Sequence, residues 1–223
     1  MPIRRSILML LIAAAIAANA GAAAADEAAA VRRSFDGLKA ALLGDRGPEA
    51  ARLLSRSTLA AAEEARDLAL YAGKAELEAQ PTALLLAALS LRGNVDARRL
   101  RAMSGADVAA HAVSADLTRD SAVASLQPAA IRAGPAVALV ELASDRALPV
   151  SQLRFRKEDG LWKLDLAETA RGDTALDRLA RSLAAGNEAA RRAMRNEMIL
   201  ALLAASSGVP ADSSIWQPPL RRP

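Results

Sequence analysis

Val31, Phe35, Leu38 and Leu42 recur at i, i+4, i+7 and i+11. That spacing is one face of an α-helix and predicts a helix running to Gly44, a natural C-terminal cap. Gly47-Pro48 opens a second helix, since proline at a first helical position forfeits no hydrogen bond. A longer helix is expected from about Thr58 to Glu78, broken at Gln80-Pro81 because the residue before proline is pushed out of the α region. Pro81 to Leu91 is apolar nearly all round and ends at Gly93-Asn94, which reads as a short helix buried on most sides rather than a bilayer span. Short helices around Val95 to Met103 and Ala106 to Ala112 complete this half.

From about Val113 to Ala167 the periodicity changes. Val123 to Ile131, Val137 to Leu142, Val150 to Lys157 and Leu161 to Leu166 read as strands, separated by Gly134-Pro135, Ser144-Asp145 and Asp159-Gly160. Asp-Gly is a strong hairpin signal, because both central residues of a type I′ turn need positive φ. Counting outward pairs Glu158 with Leu161, Lys157 with Trp162, Arg156 with Lys163, Phe155 with Leu164, Arg154 with Asp165 and Leu153 with Leu166. Alternation then puts Leu153, Phe155, Trp162, Leu164 and Leu166 on a core face, with the Lys157 stem beside Trp162. Arg154, Arg156, Glu158, Lys163 and Asp165 fall on a wet face, as an antiparallel sheet packed on helices requires.

After Thr169 the pattern is helical again. Asp173 is expected to cap a helix carrying Leu176, Leu179 and Leu183, with Gly186 as its stop. Asn187 caps a second, striped by Met194, Met198, Ile199, Leu202 and Leu203. Ile215-Trp216-Gln217-Pro218-Pro219 reads as an extended tail. A large aromatic left in water forgoes about 1.5–3 kcal/mol of burial, so Ile215 and Trp216 are expected to dock back onto the domain.

The first 25 residues read as an export signal: Arg4 and Arg5 form the positive region, Ile7 to Ala18 the apolar stretch, and Ala18-Asn19-Ala20 or Ala23-Ala24-Ala25 the cleavage site. Arg4-Arg5-Ser6-Ile7-Leu8 also fits a twin-arginine signal. The expected product is periplasmic or secreted and does not span the membrane once the signal is removed. The chain has no cysteine, hence no disulfide, lipid-attachment cysteine or thiolate metal site. With 29 basic and 25 acidic residues the formal charge is +4, and loss of Arg4 and Arg5 leaves 27 against 25, or +2. Such a balance, with so few aromatics, excludes a nucleic-acid footprint.

Helices followed by an antiparallel sheet that closes with Arg154-Phe155-Arg156-Lys157-Glu158-Asp159-Gly160-Leu161-Trp162-Lys163-Leu164-Asp165-Leu166 resemble the nuclear-transport-factor-2-like superfamily. The resemblance spans roughly Asp26 to Leu166 and is specific in that hairpin. It implies an α+β fold in which helices pack in a strongly curved antiparallel sheet, a cone with a pocket at its open end. The domain would cover 26–168, with C-terminal helices over 169–223 packed on it. The superfamily hosts dehydratases, isomerases and polyketide cyclases as well as non-catalytic binding modules, so the resemblance does not choose a function.

His111, the only histidine, excludes paired-histidine metal sites and leaves one acid/base, either in a pocket or half exposed at a helix end. Tyr71, the only tyrosine, sits among Leu68, Leu70 and Ala75, where it packs in the core or contacts a ligand. Glu141 shares a strand face with Val137 and Leu139. Facing an apolar pocket, its carboxyl would be raised in pKa and serve as a base or ligand contact; with the opposite strand face as the core, it is simply solvated. Gly-rich phosphate loops, G-x-S-x-G elbows and acidic calcium loops are missing, and neither a metal nor a cofactor is expected. The leading expectation is a non-catalytic module whose cone binds an apolar small molecule or a segment of an envelope protein. A lyase or isomerase with Glu141 or His111 as general base is the alternative, followed by a structural or assembly role such as a homodimer through the sheet.

Overall fold

A computed structural model describes residues 25–114, 120–143, 152–167, 175–184, 187–207 and 213–221. Residues 1–24 of the predicted 1–25 signal, the Asp173 cap and the Gly186 stop lie outside them. Helix α1 (25–43) follows the predicted stripe, with Val31, Phe35 and Leu38 buried, although Ala41 rather than Leu42 completes the buried face. It ends in a Schellman turn: Arg46 N–H donates to the Ala41 carbonyl at 2.9 Å and Asp45 N–H to that of Leu42 at 3.3 Å. The left-handed residue is Asp45, at φ 51°, one position after the glycine expected to cap.

Helix α2 (Gly47–Arg52) carries Pro48 in its first turn, as predicted. The predicted long helix is two: α3 (Arg56–Tyr71) and α4 (Lys74–Glu78), parted at Ala72-Gly73. Helix α5 (Thr82–Asn94) is buried on several sides through Leu84, Leu85, Ala88, Leu89 and Leu91. Helices α6 (Ala97–Ala102) and α7 (Gly105–Ser114) follow. Ser104 and Asp107 form a reciprocal capping box on α7: Ser104 N–H donates to Asp107 Oδ2 at 2.9 Å and Asp107 N–H to Ser104 Oγ at 3.2 Å. Among the described residues no helix is long and apolar enough to cross a membrane.

Val123 to Ile131 is not one strand. Helix α8 (Asp120–Ser125) precedes β1 (Pro128–Ala133), because a short apolar run has no periodicity that separates helix from strand. Lys39 on α1 binds the Ala124 and Leu126 carbonyls at 2.7 and 2.8 Å, capping the end of α8. Strands β2 (Val137–Leu142), β3 (Gln152–Glu158) and β4 (Leu161–Leu164) complete an antiparallel meander in the order β1-β2-β3-β4. The chain is thus α+β. The β3–β4 hairpin has the predicted register from Glu158 opposite Leu161 to Phe155 opposite Leu164. Its turn residues Asp159 and Gly160 take φ 53° and 79°, as the turn demands.

The ladder runs one step further, Asp165 N–H donating to the Arg154 carbonyl at 2.8 Å. The Asp165 side chain, however, is 1% exposed and not wet. The chain entering α3 covers that face: Leu53 and Ser55 extend the β4 edge through Leu164, with hydrogen bonds of 2.8 and 2.9 Å. This segment also shields an otherwise open sheet edge.

Two cores result. On the inner sheet face Ala138, Val140, Phe155, Trp162 and Leu164 meet Val31, Phe35 and Leu38 of α1. The second core is helical, built from α3 to α7 together with Ile199 and Leu203 of the last long helix and with Ile215 and Trp216 of the tail. Of the C-terminal helices, α9 (Ala175–Leu183) packs on α10 (Glu188–Ser207), which Asn187 caps through Ala190 N–H at 3.0 Å. The α10 stripe is rotated from the predicted one: Asn196, Ile199 and Leu203 are buried, whereas Leu202 is exposed. The tail docks as expected, with Ile215 and Trp216 buried, but as a 3₁₀ turn (Ser213–Trp216) rather than an extended segment.

Candidate functional site

Helix α3 packs against both α5 and α7, and the three helices turn alanines toward one another. Ala61 and Ala65 of α3, Ala87 of α5 and Ala109 and Ala112 of α7 line an apolar groove of about 210 Å³. Methyl groups at facing positions bring the backbones close yet cannot fill the space between them. Gly105 sets the approach of α7 to α3, since a Cβ there would lie 2.2 Å from the Leu59 carbonyl oxygen. Leu84, Leu91 and Val108, all buried, form the groove's apolar walls, and Leu166, just beyond β4, closes one side.

Two polar side chains reach this groove, Thr58 and Ser90. The Thr58 hydroxyl accepts from Leu166 N–H at 2.8 Å and donates to the Leu164 carbonyl at 3.3 Å, so it holds the sheet end against α3. Among the described residues no titratable side chain lines the groove. The arrangement can enclose an apolar group, with the hydroxyls of Thr58 and Ser90 as the polar side chains of the described lining.

The residues singled out from sequence do not assemble here. Glu141 lies on the outer face of β2, where Arg132 pairs with it at 2.7 Å, because Ala138, Val140 and Leu142 are the strand's core face. His111 is half buried in the last turn of α7 and lines a separate surface cleft with Arg99 and Asp107. Burial, with the positive charge of Arg99 second, holds its imidazole below the ordinary histidine pKa and favours the neutral ring. Glu141 is not in the lining of the His111 cleft, and neither residue lines the alanine groove. Tyr71 ends α3 and packs, partly buried, against the helical core rather than in the groove. Inside the sheet, where the pocket is expected, Phe155 and Trp162 are 0% and 2% exposed against α1.

Three polar clusters went unnoticed in the sequence. Arg92, in the last turn of apolar α5, donates to the carbonyls of Leu68, Ala69, Ala72 and Ile215 at 2.7 to 2.9 Å. It therefore caps the C-terminus of α3, which explains the break before α4, and ties the tail to that end. Burial pushes its guanidinium pKa down to about 10, still protonated at neutral pH. The one sequence signal was a lone arginine closing an apolar run.

Asp165 accepts from Ser57 Oγ at 2.8 Å, Arg156 Nε at 3.0 Å and Ser55 Oγ at 3.2 Å. Burial alone would raise this carboxyl, but the hydrogen bonds from Ser57, Arg156, the Ala167 N–H and Ser55 outweigh it and hold the pKa below the usual range. Glu27 of α1 accepts from Trp162 Nε1 at 2.8 Å and pairs with Lys157, whose Nζ lies 5.7 Å from the Trp162 ring centre. Helix α1 is thereby fastened to the hairpin by its first turn as well as by its apolar stripe. Among the described residues no group of His, Asp and Glu is placed to hold a metal ion.

A scan against protein-family models matches none, and neither the curated proteins nor the solved structures give a match to this chain.

Proposed function

We propose that the protein is an exported, non-catalytic binding module that holds an apolar small molecule in the groove between α3, α5 and α7. The observation carrying this reading is the groove's lining: alanine and leucine from three helices, one saturated threonine and one serine. Ligand sites are typically concave and mostly apolar with a few polar groups that orient the guest, and Ser90 is suited to that part here. Export is supported by Arg4, Arg5 and the apolar run Ile7 to Ala18. Membership of the nuclear-transport-factor-2-like superfamily is supported by the Asp159-Gly160 hairpin and the helices packed on an antiparallel sheet, but the binding space lies among helices and not inside the sheet.

A fluorescence titration with N-phenyl-1-naphthylamine, a neutral apolar dye, tests the proposal. Saturable enhancement that Ala87→Phe abolishes, with the melting curve retained, is the expected result. Absence of enhancement, or enhancement untouched by Ala87→Phe, overturns it. Native mass spectrometry of protein from its own host would then identify the natural guest.

The assembly reading has one observation in its favour. Leu179 and Leu183 of α9 are 46% and 58% exposed on a strongly amphipathic helix, a surface that suits burial against another chain. A monomeric mass in solution overturns the homodimer.

A further inference from the structure

Glu188, Arg191, Arg192 and Arg195 fall at i, i+3, i+4 and i+7 on α10 and so share one helix face. That face, with Arg181 of α9 and Glu78 of α4, lines a cleft of about 420 Å³ unrelated to the alanine groove. We propose that this cleft binds the oxyanion group, carboxylate or phosphate, of a small ligand through Arg191, Arg192 and Arg195.

The acids in the cleft already have protein donors. Glu78 accepts from Asn196 Nδ2 at 2.8 Å and faces Lys74 at 3.8 Å; Asp177 accepts from the Thr82 hydroxyl; Glu188 pairs with Arg191 and, at 3.9 Å, with Arg192. The arginines are less fully matched. The Nη groups of Arg195 donate to neutral oxygens, those of Gln80 and Glu78 carbonyls at 3.2 and 2.7 Å and Asn196 Oδ1 at 3.4 Å. Arg191 Nε and Arg195 Nε are buried without a hydrogen-bond partner among the described residues. Buried donors are almost always satisfied, and a buried charge is stable when it meets an opposite one.

Burial holds the Arg195 guanidinium below the ordinary arginine range, and the like charge of Arg192 adds to this against the opposing carboxylates of Asp177, Glu78 and Glu188. An oxyanion bridging Arg192 and Arg195 relieves both effects. The geometry of the half-exposed Arg192 guanidinium suits it, since its Nε and one Nη can present parallel donors to two oxygens of a carboxylate or phosphate. Three acids in the same cleft limit the guest to a compact anion and exclude an extended polyanionic backbone.

Calorimetric titration of the purified protein at low ionic strength, separately with inorganic phosphate and with succinate and with chloride as control, is the test. Saturable binding of one or both oxyanions is expected, and displacement of one by the other tells which group the cleft prefers. Arg192 is half exposed and, among the described residues, pairs with Glu188 at 3.9 Å, so Arg192→Gln should keep the melting curve while weakening binding about tenfold or more. Arg195→Lys, which keeps the charge and loses the planar guanidinium with its spread of donors, should weaken it as well. No saturable heat with either oxyanion overturns the proposal, as does an affinity unchanged in both variants.

Discussion

The two cores of this protein are packed from different materials. The sheet core takes both phenylalanines and Trp162, all of them nearly inaccessible. The helical core is built from leucine and alanine, with Trp216 supplied late by the tail, and it retains a groove where α3, α5 and α7 meet. Large side chains interdigitate and fill, whereas facing methyls set a close helix spacing but cannot fill what remains. The space open for binding follows from side-chain volume rather than from which layer is the more apolar.

The contrast is most sharply tested by emptying the full core. Phe155→Ala removes a ring that is 0% exposed, and chemical denaturation should show a loss of about 3–5 kcal/mol. The reverse change in the other core, Ala109→Leu in the groove wall, should cost less than about 1 kcal/mol, since overpacking is penalised where space is already filled. If Ala109→Leu destabilises as much as Phe155→Ala, the groove is not spare volume and the comparison fails.

Removing the tail after Pro210 takes Ile215 and Trp216 out of the helical core, and thermal melting should record a loss of about 1.5–3 kcal/mol. An unchanged melting curve would mean the helical core is complete without its late aromatic.

Acid should act on the seam between the cores. The folded pKa of Asp165 lies below that of the unfolded chain. Its charged form therefore contributes stability above about pH 4, the unfolded carboxylate value, and that contribution disappears as the pH falls through the folded pKa. Asp165→Asn should lower stability near neutrality by about 1–3 kcal/mol and flatten the acid limb of the stability curve. The smallest effect is expected on the outer sheet face, where Glu141→Gln breaks an exposed pair with Arg132 and should change stability by less than about 1 kcal/mol. A larger change would show that this face is covered in solution.

What could be read from the sequence was local. Asp159-Gly160 determines its own turn, and the alternation from Leu153 to Leu164 then follows, so the hairpin register was legible to the residue. Asp165 obeys that same alternation, yet it is buried because Ser55 and Ser57, 110 and 108 positions away, cover its face. No nearby residue encodes that cover. The alanines of the groove were visible as composition, but their convergence depends on how three helices cross, which Gly105 permits through one close contact. The break at Ala72-Gly73 is likewise a tertiary effect, since Arg92 supplies from another helix the donors that a longer α3 would have found in its own chain.

Arg92 also places a constraint on the order of assembly. It joins the end of α3 to Ile215, which lies 123 residues beyond Arg92, and the Leu220 N–H donates to the Leu70 carbonyl at 3.2 Å. During synthesis the helices from α3 to α7 emerge long before these last partners exist. The sheet core can close as soon as β4 has been made, whereas the Leu70 carbonyl and the Arg92 fork find their last partners only when Ile215 and Leu220 have followed. A chain clipped before Ile215 thus loses an acceptor of Arg92, the donor to the Leu70 carbonyl and the Trp216 ring of the helical core, while every residue of the sheet core is already present.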